Sequence, residues 1–269
     1  MVNKTVLVTG STDGIGKQTA YELARMGYRV ILHGRSPDRV RAVAEDLSNR
    51  IENASLEEIS ADLSSQKQVR RMVAEIYLRF PRLDVIINNA GVFNTTRRTS
   101  QDGYELSLAV NYLAPYVLTV GLLDLLKKSA PARVVNVSSV AHKRGRINFD
   151  DLHGEKEYDG YKAYADSKLM LIYFTYDLAD QMQGSGITVN ALHPGVISTK
   201  MLTAGFNMTG DDLSVGAETP IFLAVSQEVA EISGKYFERK QAVPSSRLSY
   251  DLAFREQVMK VTKRLTKAD

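Results

Sequence analysis

No cysteine occurs in the chain, which excludes disulfides, thiolate nucleophiles and thiolate metal sites together. Histidine is scarce: His33, His142, His153 and His193 stand far apart without the spacing of a ligand set, so no metal is expected. An excess of charge of one sign is also missing. The formal net charge is +3 over 269 residues, and the basic run Lys143, Arg144, Arg146 reads as a solvated loop, so no nucleic acid is expected as a partner. The most apolar stretch, LAPYVLTVGLLDLLKK, contains Pro115 and Asp124 and falls short of ~18 clean residues, which makes it a buried helix and not a transmembrane segment. The opening MVNKTVLVTG is too short for a signal segment and runs at once into glycine, so a cytoplasmic location is the expectation.

What the chain does have is alternation. Short β-branched runs (TVLVTG, RVILHG, LEEISAD, DVIINNAG, RVVNVSS, GITVNALHPG, GKYFE) are separated by helical-period segments at 14–27, 37–50, 65–80, 102–128, 158–183 and 216–230, with a last polar helix near 246–266. Such alternation predicts βαβ units: one α/β domain over residues 1–269, doubly wound, with a mostly parallel sheet of about seven strands and helices on both faces.

In an open parallel sheet, ligands gather beyond the carboxyl ends of the strands, where strand order reverses. After the first run stands TGSTDGIG, whose Gly10, Gly14 and Gly16 open a helix. Glycine permits a tight turn and close backbone approach, and the helix start offers free N–H groups to a pyrophosphate; turns of this kind also serve purely structural ends. The second run ends in His33, Gly34, Arg35, Ser36. A carboxylate there would hold ribose hydroxyls, whereas a guanidinium accommodates a 2′-phosphate, so Arg35 predicts NADP(H) over NAD(H).

A tyrosine four residues before a lysine shares its helix face and is a candidate acid/base pair. The spacing is ambiguous here, since it occurs in Tyr158/Lys162, Tyr164/Lys168 and Tyr236/Lys240. Context decides between them. With TGSTDGIG at 9–16, ADL at 61–63, NNAG at 88–91, Asn111 in AVNYLAP, VVNVSS at 134–139, YADSK at 164–168 and HPGVIST at 193–199, the chain resembles the short-chain dehydrogenase/reductase family over nearly its whole length. The resemblance implies a Rossmann-type fold, and it selects Tyr164, Ser167 and Lys168 as the family's Y-x-x-S-K, ahead of the apolar run LMLIYF. Tyr158 and Lys162 straddle Gly160 in an expected loop, and Tyr236 with Lys240 follows the last strand.

The resemblance also implies roles. Tyr164 would be the acid in carbonyl reduction and the base in alcohol oxidation, its pKa lowered from ~10 by Lys168, which would also bond the nicotinamide ribose. Ser139 would orient the substrate oxygen, and Asn111 would hold a proton-relay water. NADP(H) would lie along Gly10, Ser11, Thr12, Gly14, Ile15 and Gly16, with Arg35 at its 2′-phosphate and Asp62 and Leu63 at the adenine. Asn89, Ala90 and Gly91 would follow the adenosine side, and Pro194, Gly195, Ile197 and Thr199 the nicotinamide.

The separation of 25 residues from Ser139 to Tyr164 and the segment within it, together with SGKYFERKQAVP, resemble the retinol-dehydrogenase-like branch, though no apolar anchor precedes the first strand. The function implied is hydride transfer between a carbonyl, aldehyde or ketone, and an alcohol; the alternatives are a cofactor-responsive binding protein without turnover and a reductase of activated C=C bonds. In the loop expected at 200–213, Met201, Leu202, Phe206 and Met208 either wall a lipophilic substrate or pack on the protein itself. Helices 102–128 and 158–183, apolar on several faces, pair into homo-oligomers in the family, but the segment before Tyr164 stands in the way and the oligomeric state stays open.

Overall fold

The computed structural model describes residues 4–206 and 208–267. Strands β1 (Thr5–Val8), β2 (Arg29–Gly34), β3 (Leu56–Ser60), β4 (Val85–Asn88), β5 (Ala132–Val137), β6 (Ile187–His193), β7 (Tyr236–Glu238) and β8 (Gln241–Val243) form one sheet in the order β3-β2-β1-β4-β5-β6-β7-β8. All pairings are parallel except β7 with β8. Apolar side chains alternate between the two faces, as a strand's period of two requires. Leu7, Ile31, Ile86, Val134 and Val189 pack with α3 (Gln66–Arg79), α5 (Ala114–Gly121) and α7 (Gly160–Gln181). Their neighbours Val6, Val30, Leu32, Ile87 and Val135 pack with α1 (Gly14–Arg25), α2 (Pro37–Arg50) and α9 (Leu213–Val225). A side chain fully buried in this way contributes about 1.5–3 kcal/mol. The result is a single Rossmann-like domain whose strand order reverses between β1 and β4, so the crevice at their carboxyl ends is fixed by topology.

Several elements depart from the periodicity. The expected helix at 102–128 is a chain of pieces: α4 (Leu106–Leu108), a π-turn Ala109–Leu113 around Asn111, α5, and α6 (Leu123–Lys128) after a break at Leu122. Segment 200–213, expected as a loop, contains α8 (Lys200–Phe206), and the polar tail is a short 3₁₀ turn at Arg247–Tyr250 before α10 (Leu252–Thr266). The expectation of about seven strands is exceeded by β8. It is joined to β7 through Arg239 and Lys240, both left-handed at φ 49° and 64°, the backbone of a two-residue hairpin without the usual Asn-Gly signal.

Helix α7 begins where Asp159 accepts hydrogen bonds from the N–H groups of Tyr161 and Lys162, at 2.8 and 3.1 Å. Gly160 and Lys162 are therefore helical and not loop. Gly160 is required there by close approach, because a Cβ would lie 2.1 Å from the Asn94 carbonyl oxygen. Among the described residues no helix is long and apolar enough to cross a membrane.

Candidate active site

Four polar side chains meet beyond β4 and β5. The strand β5 delivers Ser138 and Ser139, and the two are used differently. Ser138 is buried and donates its hydroxyl to the Lys168 carbonyl at 3.0 Å, whereas Ser139 caps a 3₁₀ turn (Val140–Arg144) and its hydroxyl acts on the Tyr164 phenol so as to lower its pKa. One turn along α7 from Tyr164, the buried Lys168 ammonium lies 5.7 Å from the phenol ring centroid and donates to the Val137 carbonyl at 2.8 Å. Burial lowers the Lys168 pKa to about 8. The phenol is pushed upward, chiefly by burial; the Ser139 hydroxyl acts the other way and Tyr161 adds to the rise. Burial of the phenol thus outweighs the effect of Ser139, and the ammonium beside it is itself desolvated and aimed at a backbone carbonyl.

Asn111 joins this group through the π-turn. Its amide donates to the Val92 carbonyl (2.9 Å) and to Ser167 Oγ (3.1 Å), and its Oδ1 accepts from Val92 N (2.7 Å), so the side chain ties helix to loop. An ideal Cβ on Gly91 would lie 3.4 Å from Asn111 Oδ1 and 3.6 Å from Lys168 Nζ, which shows both groups bordering one small space. π-turns recur at functional positions because the extra residue redirects local side chains.

The rival pairs are elsewhere. Tyr158 donates to Glu105 at 3.1 Å and Lys162 pairs with Asp166, while Tyr236 donates to Glu238 and Lys240 pairs with Glu218 at 2.7 Å. Neither tyrosine faces its lysine.

The glycine turn forms a cradle of a shape that could hold a dinucleotide. Gly10 and Gly14 have φ of 67° and 53°, and a Cβ on Gly16 would lie 2.3 Å from both the Gly10 carbonyl oxygen and Asn89 Nδ2. Asn89 holds the turn instead of facing outward, donating to the carbonyls of Thr9 (2.8 Å) and Gly10 (3.3 Å), while Thr9 Oγ1 accepts from the N–H groups of Asn89 and Ala90. Ser11 is fully buried and its hydroxyl accepts from His33 N at 2.8 Å, so its side chain braces β2. Thr12 sits against Gly34, Arg35 is exposed just past β2, and Leu63 is buried beside Asp62. The Asp62 carboxylate accepts from Ser64 N (2.9 Å) and Gln101 Nε2 (3.1 Å). Across the crevice, the segment Pro194–Thr199 closes on the turn: Thr199 Cγ2 lies 3.6 Å from the position of a Gly14 Cβ, and Ile197 and Ile15 both border Gly216. Lys200 pairs with Asp13 across the same gap and lowers the Asp13 pKa. These features fit a pyrophosphate-bearing dinucleotide. Gly16→Ala is expected to cost about 2–4 kcal/mol of stability by backbone overpacking and to lower cofactor affinity, read by thermal unfolding and fluorescence titration.

His33 was not a candidate from the sequence, yet it organises this end of the crevice. Its Nδ1 accepts from Gly10 N at 3.1 Å, which fixes the tautomer with Nε2 donating to the Ala61 carbonyl at 3.2 Å. Burial lowers its pKa to about 4, and the same cause brings His142 and His193 to about 4 from 6.5. Below pH 6.5 the unfolded chain takes up protons that the folded chain refuses until about 4. Stability is therefore full above that window and is lost as pH falls through it, by on the order of 3 kcal/mol for His33 alone. Urea midpoints measured from pH 7 to 4 should fall; a flat profile contradicts the assignment.

On the substrate side, Phe93 meets the Tyr164 ring edge-on at 5.7 Å, and Met201, Tyr161 and Phe93 pack on the small cluster of Ala141, Tyr164 and Ala165. Met208 is exposed, and the side chain of Phe206 lies outside the described residues. An open cleft of about 520 Å³ lined by Val140, Lys143, Arg144 and Tyr161 adjoins Ser139. Phe93 carried no sequence signal, as it lies in a loop without periodicity.

A doubly wound sheet with a glycine cradle at its switch point and a tyrosine–lysine pair one strand away defines a nucleotide-dependent oxidoreductase. The chain belongs to the short-chain dehydrogenase/reductase family, whose short chain dehydrogenase model matches residues 4–209. Within it the chain falls in the retinol-dehydrogenase-like branch. It is 42% identical to human retinol dehydrogenase 13 over 259 residues, covering 90% of this chain and 78% of that protein. With human retinol dehydrogenase 14 the identity is 40% over 263 residues, 88% of this chain and 78% of the relative. Among solved structures, an uncharacterized protein from Mycobacterium paratuberculosis superposes with a TM-score of 0.83 at 30% identity, over 98% of this chain and 93% of that one. A short chain dehydrogenase from Escherichia coli CFT073, complexed with NADPH, gives 0.74 at 26% identity, over 88% and 97%.

Proposed function

We propose that the protein is an NADP(H)-dependent oxidoreductase interconverting a lipophilic aldehyde or ketone with its alcohol. The observation that carries the reading is the Lys168 ammonium 5.7 Å from the centre of the Tyr164 ring, with the Ser139 hydroxyl acting on the same phenol. In reduction, Tyr164 gives its proton to the substrate oxygen while the Ser139 hydroxyl supports the charge developing there. Lys168, charged below about pH 8, makes the resulting phenolate less costly, returns a proton to it, and takes its own replacement through the space it shares with Asn111 Oδ1. The nicotinamide supplies or accepts the hydride when bound. Arg35 would face the 2′-phosphate, Asp62 the adenine, Lys168 the ribose, and Ile197 with Thr199 the carboxamide.

Phe93 and Met201 beside the phenol favour an apolar body on the substrate, in keeping with relatives named retinol dehydrogenase. The test is NADPH oxidation against a panel of aldehydes and ketones with product analysis. Long apolar aldehydes should turn over with higher kcat/KM than small charged ones. Turnover confined to small charged carbonyls contradicts the lipophilic assignment, and saturated C=C products contradict the carbonyl one.

A further inference from the structure

We propose that the groove between the start of α3 and the end of α10 is a binding site for an anion carrying clustered phosphate groups. The groove, of about 580 Å³, shares no lining residue with the cofactor crevice and is bordered by Lys67, Arg70, Arg71 and Lys267. Its single carboxylate, Asp102, accepts from Gln66 N at 2.7 Å and so serves the backbone. Among the described residues, none of the four cations belongs to an ion pair; α3 forms its salt bridges at the far end, where Arg79 meets Glu57 and Glu75.

This arrangement is unfavourable for the protein alone. Lys67 and Arg71 stand one helical turn apart, a like-charge spacing that weakens a helix, and Arg70 and Lys267 add to the same field. The walls are nevertheless fixed: Arg70 donates to the Thr266 carbonyl, and Gln66 Nε2 and the Tyr104 hydroxyl both donate to the Leu265 carbonyl, at 3.1 and 2.9 Å. Four converging cations on a held frame match a multiply charged ligand. Guanidinium forks satisfy pairs of phosphate oxygens while lysines supply point charge, so phosphate is favoured over an isolated carboxylate. The source is either a soluble phosphorylated metabolite or a lipid headgroup.

The full chain, with saturating NADPH to occupy the crevice, is titrated with inositol trisphosphate by calorimetry. In parallel it is sedimented with phosphatidylcholine vesicles containing phosphatidylinositol bisphosphate, or phosphatidylserine at equal surface charge. Saturable binding of the trisphosphate assigns a soluble ligand; binding only to bisphosphate vesicles assigns the headgroup. In either case Lys67→Glu/Arg71→Glu should weaken binding at least about tenfold, with secondary structure by circular dichroism and NADPH affinity unchanged. The proposal is overturned if neither probe binds more tightly than inorganic phosphate or phosphatidylserine vesicles, or if the double variant binds as the wild type does. Should that variant misfold, Lys67→Gln/Arg71→Gln carries the same comparison.

Discussion

Tyr164→Phe should bind cofactor as the wild type does and lose about 10²–10⁴-fold in turnover, the contribution of a positioned acid/base group. The substitution removes one hydroxyl from a ring held by Phe93, Ala141 and Ala165, so packing is kept and the loss reports chemistry. Cofactor fluorescence titration and steady-state rates on the best carbonyl of the panel separate the two effects. In the wild type, reduction should slow as pH rises through about 8, where Lys168 loses its proton and with it the charge that favours the phenolate. An undiminished rate in Tyr164→Phe contradicts the acid/base assignment. No rate from either protein, with tight NADPH binding retained, favours a binding protein.

Arg35→Asp should reverse cofactor preference, moving the ratio of kcat/KM for NADPH over NADH by about 10²-fold or more. A charge-assisted contact worth about 1.5–3 kcal/mol is lost, and a carboxylate facing a 2′-phosphate adds repulsion, the negative half of specificity. Arg35 is exposed, whereas neighbouring Arg39 is drawn toward Asp13 at 3.9 Å. Equal use of both cofactors by the wild type, or an unchanged ratio in the variant, removes Arg35 from the specificity argument.

The sequence was most legible where one residue type alone serves a backbone need or a strand must alternate. Gly10, Gly14 and Gly16 announced the cradle, and the alternation of β-branched runs announced the sheet and its switch point. It was least legible where tertiary contacts override local pattern. The π-turn at Asn111 has no periodicity of its own, being fixed by ties to Val92 and Ser167. The β7–β8 hairpin turns on Arg239 and Lys240, residues that do not advertise a left-handed backbone. Roles assigned to whole motifs also divided in space: Thr9, Ser11 and Asn89 brace the cradle from behind, and His33 and Phe93, which no motif singled out, help explain why its walls and the substrate side stand where they do.

The bond from Gly10 to the His33 ring has a consequence for how selectivity can drift. His33 lies two residues before Arg35 on the same strand end, so on the proposed reading the cup that would hold the diphosphate and the jaw that would sense the ribose are hinged on one neutral imidazole. Redesign of the jaw by shifting its backbone would deform the cup, whereas exchange of a single side chain at its tip leaves the hinge untouched. On the proposed reading, a change of nicotinamide cofactor is expected to come from side-chain exchange at the rim, and an insertion or deletion there should weaken nucleotide binding as well.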